Sequence, residues 1–165
     1  MTDYLSILAM AQPELAEDIK ILRKGLAVLN AFKAKYNLKI PTAQVTTMEN
    51  AAIGGYYQRS REELKVYLKH VENLNADTYQ MQVEDNSVYG ILLHEAGHAI
   101  ADKYLDKEMP FGEKRLSEHD YPDDVSEREA ETLRIFIDNE EKLRELNPSR
   151  YEYLKNRLKP VKEGV

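Results

Sequence analysis

The stretch "ILLHEAGHAI", Ile91 to Ile100, sets three ionisable side chains into the least polar part of a 165-residue chain. His94 and His98 stand four residues apart and Glu95 follows the first of them; every other residue in the stretch is apolar or small. A polar group buried without a partner costs about 1–3 kcal/mol. A fold that buries this segment must therefore satisfy three such groups at once. On a helix, His94 and His98 fall one turn apart on one face, where both imidazoles can reach a single ion. Glu95 lies about 100° further round, placed to hydrogen-bond a water without taking a coordination position. That is what metal-assisted hydrolysis asks of a general base. The blander alternative is a pair of exposed or hydrogen-bonded histidines beside a surface glutamate, and the apolar neighbours argue against it.

A catalytic zinc takes three protein ligands and leaves a fourth position open. The chain has no cysteine, so any metal must be held by His and carboxylate side chains. The other histidines are His70 and His119, and three carboxylates, Glu127, Glu129 and Glu131, cluster in "SEREAETLRIFI". Taking Ala130, Leu133, Phe136 and Ile137 as the buried face of that helix, Glu129 lies about 40° from Leu133. Glu127 lies at about 120°, on the margin, and Glu131 at about 160°. Glu129 is thus the carboxylate expected to point inward, as the third ligand. Two readings compete with it. Ser126 and Glu129 fit a capping box, although Asp124 and Glu127 fit the same box one turn earlier. His119 is the substitute ligand, as the only histidine between the two helices.

The flanking pattern places this helix in an α+β domain. Leu15, Ile19, Leu22, Leu26 and Leu29 form an apolar stripe that predicts a long helix over Pro13–Tyr36. Strands are expected at Ala43–Met48, Ala51–Tyr57 and Leu64–Lys69, the last two paired as a hairpin. In the third, Leu64, Val66 and Leu68 alternate with Lys65, Tyr67 and Lys69, as in a strand with one wet face. Asn73–Asn86 reads as a connection. Asp85, Asn86 or Ser87 caps the His94 helix, which should run to about Leu105. A loop then leads to a helix from about Asp124 to Leu146. A short last helix follows, capped by Asn147, with Pro148 in its first turn and Pro160 after its end. No repeat or linker divides the chain, so residues 1–165 are expected to form one domain.

Composition narrows the function classes. With 42% hydrophobic and 32% charged residues, the chain can build a packed core. A net charge of −6 argues against direct nucleic-acid binding, which needs a basic surface. No apolar run has the length of a membrane span. Leu5–Ala11 lacks the basic residues of a signal peptide. The expectation is a cytoplasmic protein with no membrane partner.

"HEAGH" within "ILLHEAGHAI" resembles the zincin metallopeptidase signature. With a glutamate on a following helix, it is similar to the glutamate zincins. The order of an N-terminal helix, a hairpin carrying "GGYY", the H-E-x-x-H helix and an "EREA" helix also resembles the ImmA/IrrE-like branch. There the glutamate before Ala is the ligand, which maps onto Glu129. The resemblance implies a zincin-like fold and one Zn2+ per chain, held by His94, His98 and Glu129. It also implies peptide-bond hydrolysis with Glu95 as general base, acting on a protein or peptide; with one domain to handle substrates, the expectation is a restricted one, such as a single regulatory protein. An oxyanion donor is implied too, with Tyr121 and His119 as candidates. The substrate backbone is expected along a sheet edge near Leu64–Lys69. A second hypothesis is a zincin-fold metal-binding module that acts through a partner protein without proteolysis.

Overall fold

Side-chain caps set most of the helix starts in this computed structural model, which describes residues 3–47, 54–68 and 87–161. Asp3 accepts from the Ser6 N–H at 2.8 Å and opens α1, Tyr4–Ala11. A 3-10 turn at Pro13–Leu15 leads into α2, Ala16–Tyr36, which closes on Asn37 in the left-handed region (φ 53°). Ser87 accepts from the Gly90 N–H at 3.2 Å and starts α3, Val88–Tyr104. Asp124 does the same for α4, Val125–Asp138, through the Glu127 N–H at 3.1 Å. Asn139 caps α5, Glu140–Leu146, and Asn147 caps α6, Pro148–Arg157, with Pro148 in its first turn. The single helix expected from Asp124 to Leu146 is therefore two. The chain stops being helical at Asn139, whose extended backbone frees its side chain to cap the next helix.

Three short strands, β1 (Ala43–Thr46), β2 (Gly55–Gln58) and β3 (Glu63–Tyr67), form a sheet in the order β1-β3-β2. The expected hairpin is present: β2 pairs antiparallel with β3, Gly55 opposite Val66 and Gln58 opposite Glu63. β1 runs parallel to β3. The third strand, expected at an edge, is thus the central one, and among the described residues the edge beside α3 is β2. Leu64 and Val66 are fully buried, as alternation requires. Tyr67 was expected on the wet face but is also buried, with the Tyr56 ring of the neighbouring strand 6.2 Å away. The expected connection at Asn73–Asn86 and His70 lie outside the described residues, as do the outer ends of the predicted strands at Met48, Ala51 and Lys69.

α3 is the organising element. It packs on α2, on β2 and β3, and most extensively on α4. Leu92, Leu93, Ala96 and Ile100 are fully buried along it. Leu15, Ile19, Leu22 and Leu29 of the long N-terminal stripe are buried in the same core. Gly97 brings α3 against α4 so closely that a Cβ there would sit 2.9 Å from the Ala130 carbonyl oxygen and 3.2 Å from the Leu133 Cβ. Backbone cannot yield as a flexible side chain does. Gly97→Val is therefore expected to cost about 1–3 kcal/mol by overpacking, read as a lower urea midpoint with an unchanged slope. An unchanged midpoint would show that the two helices separate freely.

The connection from α3 to α4 is tied down from below by α6. Arg150, fully buried, pairs with the equally buried Asp120 at 2.8 Å and donates to the Phe111 carbonyl at 2.8 Å. Asn147 donates to the carbonyls of Phe111 and Lys114. Gly112 has φ 76° and leaves no room for a side chain against Asn147. Among the described residues, no helix is long and apolar enough to cross a membrane.

Candidate metal centre

His94 and His98 project from one face of α3 with their rings 4.8 Å apart. Both Nε2 atoms converge on one carboxylate, that of Glu127, at 3.2 Å from His94 and 3.0 Å from His98. The three side chains offer donor atoms that all lie within 4.8 Å of one another. Two ligands of a tetrahedral zinc, each at about 2.0–2.1 Å, stand about 3.3 Å apart. The two His–Glu127 separations, each to a different carboxylate oxygen, are close to that value, and the donor types suit zinc, so the residues present fit the ion.

Glu127 replaces Glu129 in this set. The correction has a physical reason: α4 is buried on more than one side. Arg128 and every residue from Ala130 to Ile137 are buried. The apolar stripe of the helix therefore does not mark the side that faces His94 and His98. Glu127 and Glu131, four residues apart, share the face that meets α3, opposite a histidine pair with the same spacing. Glu129 is half-buried and lies on the wall of the adjoining cleft. Burial pushes its carboxyl above the ordinary value, partly offset by His98 and Arg128. The cap belongs to Asp124, so the Ser126–Glu129 box does not form.

Glu131, expected to point outward, is buried and orients the first ligand. Its carboxylate accepts from His94 Nδ1 at 2.7 Å, from the Ser117 hydroxyl at 2.6 Å and from Arg134 Nε at 2.9 Å. An ionised carboxylate only accepts, so Nδ1 of His94 carries a proton, and Nε2, here hydrogen-bonded to Glu127, is the nitrogen that can bind an ion once it gives up its own. The Ser126 hydroxyl lies 3.2 Å from Nδ1 of His98. Burial disfavours charge on His94, but its hydrogen bonds to Glu127 and Glu131 outweigh this and hold its pKa up at about 10. The same bonds from His94 and His98 hold Glu127 down at about 2. Burial opposes the charge on Glu131, yet His94 and Arg134 keep its carboxyl well below the usual range. Sequence reasoning missed Glu131, Arg134, Ser117 and Ser126. The matched four-residue spacings of His94–His98 and Glu127–Glu131 were the available signal.

The centre opens into a cleft of about 740 Å³. Its walls are β2 with Arg59 on one side and the first turn of α4, with Ser126, Glu127 and Glu129, on the other. α3 lines it from Glu95 and His98 to Ala101 and Asp102, with Leu105 just past the helix end. Glu95 lies in the cleft but outside the three converging donors. Burial pushes its carboxyl above the ordinary value, against the pull of His94 and His98. His119 and Tyr121 do not line the cleft. His119 stands 3.7 Å from Glu118, and Tyr121 is largely exposed with Arg115 over its ring. No residue of the 110–123 loop lines the cleft either. The side chains that do line it beside the centre include Tyr56, Tyr57 and Arg59. No family model, no curated protein and no solved structure matches this chain.

Proposed function

We propose that this chain is a zinc-dependent peptidase, with the ion held by His94, His98 and Glu127 and with Glu95 as general base. One observation carries the reading: Glu95 shares an open cleft with His98 and Glu127 yet is not one of the three converging donors. A structural zinc site is closed by four protein ligands and has no use for a separate carboxylate beside them. Zinc in this set supplies a Lewis acid that polarises a carbonyl and makes water more acidic. Glu95, its carboxyl raised by burial, accepts the proton of the attacking water and passes it to the leaving amine. Glu131 and Ser126 hold the two imidazoles in orientation. Among the described residues β2 is an outer strand of the sheet and lines the cleft, where an extended peptide can add as a further strand. The zincin resemblance of "HEAGH" supports the same reaction class.

The test is metal analysis of the purified protein, followed by incubation with a mixed library of short peptides with and without a chelator. The expected result is about one zinc per chain and cleavage that stops when zinc is removed and returns when it is restored. A protein that takes up no zinc on dialysis against the ion sinks the proposal. Stoichiometric zinc with no cleavage of any peptide removes the peptidase and leaves a metal-binding module acting through a partner.

A further inference from the structure

The cleft continues past the metal centre toward the C-terminal end of α3, and its charges there are not equivalent. Asp102 is already neutralised: Arg59 Nε lies 2.9 Å from one oxygen, and the Tyr57 hydroxyl donates to the other at 2.9 Å. Glu127 is committed to the two histidines, and Glu95 is the general base of the proposed reaction. Glu129 is the remaining carboxylate of the lining, half-buried on the α4 wall with no hydrogen bond or ion pair among the described residues. Two aliphatic residues, Ala101 and Leu105, line the same cleft. A half-buried carboxylate in a cleft that also offers aliphatic side chains matches a side chain with an apolar stem and a cationic end. His98 and Arg128 favour the charge on Glu129 without a hydrogen bond or ion pair to it, so an incoming cation adds the direct contact that it lacks.

We infer that Glu129 determines specificity, recognising a lysine or arginine side chain of the peptide substrate whose stem lies over Ala101 and Leu105. The inference rests on the peptidase reading for the cleft's use, but its selectivity can be measured separately. Lysine reaches the carboxylate as a point charge and arginine as a two-pronged donor, so either is accepted. Aspartate and glutamate are rejected by like charge.

Decapeptides of alanine and glycine, carrying one Lys, one Gln or one Glu at each position in turn, provide the probe. Binding is read by fluorescence anisotropy on the zinc-loaded Glu95→Gln protein and cleavage by mass spectrometry on the otherwise unaltered chain. Each is compared with the same protein carrying Glu129→Gln or Glu129→Lys. The expected result is a preference for Lys over Gln at one fixed position, about tenfold for a charge-assisted contact. It disappears in Glu129→Gln and turns toward Glu in Glu129→Lys, with zinc content unchanged in both. No Lys preference, one that survives Glu129→Gln, loss of zinc in that variant, or no binding of any peptide overturns the inference. Lys-selective binding lost in Glu129→Gln, with no cleavage by the unaltered chain, leaves the recognition standing and removes the peptidase. Cleavage without that selectivity does the reverse.

Discussion

Glu127→Gln loses zinc, and Glu129→Gln keeps it. This pair of expected results separates the two carboxylates most directly. Glu127 reaches both Nε2 atoms, at 3.2 and 3.0 Å. Replacing it removes one of three ligands, and the affinity should fall by about 100-fold or more, because disturbing an outer-shell partner alone costs about 10–100-fold. The α4 start should survive, since the contact that caps it uses the Glu127 backbone N–H and not its side chain. Competition against a chromogenic chelator gives the affinity, and far-ultraviolet circular dichroism checks the fold. Full zinc affinity in Glu127→Gln would return the third position to Glu129 or another donor.

Glu95→Gln is expected to keep its zinc while turnover falls by about 10²–10⁴, the usual contribution of a positioned general base. Glu95 is not one of the three converging donors, and the amide is nearly isosteric with the carboxylate. What it lacks is the capacity to take a proton. The loss should appear in kcat more than in KM, because the group acts on the proton in flight and not on the ground-state peptide. Zinc loss in this variant would make Glu95 a ligand. Unchanged turnover would leave it without a role in the chemistry.

The features legible from sequence are those set by local physics. Asn147 followed by Pro148 predicts the start of α6, and Ser87 is one of three caps offered for α3; both hold because a cap depends on three or four consecutive residues. The β2–β3 hairpin follows from alternation and a short polar turn. The break at Asn139 was harder to see because Leu143 and Leu146 carry the apolar spacing on past it. Asn139 ahead of Glu140 and Glu141 is nevertheless a cap followed by an acidic first turn. The position of β3 at the centre of the sheet depends on the parallel pairing of β1, which no local pattern encodes.

The same division runs through the site. By itself the sequence determined His94, Glu95 and His98 as a unit, because the period of one helix settles their relative directions whatever packs around it. The carboxylate that joins the two histidines needed a second helix, and its identity depends on how α4 is rotated against α3. That rotation is set by tertiary contact, the close approach of Gly97 to Ala130 and Leu133. A helical wheel with one apolar stripe assumes one buried side, whereas α4 is buried on several. Its polar stripe of Glu127 and Glu131 is therefore the one that meets the histidines, and Glu129 is left to face the cleft.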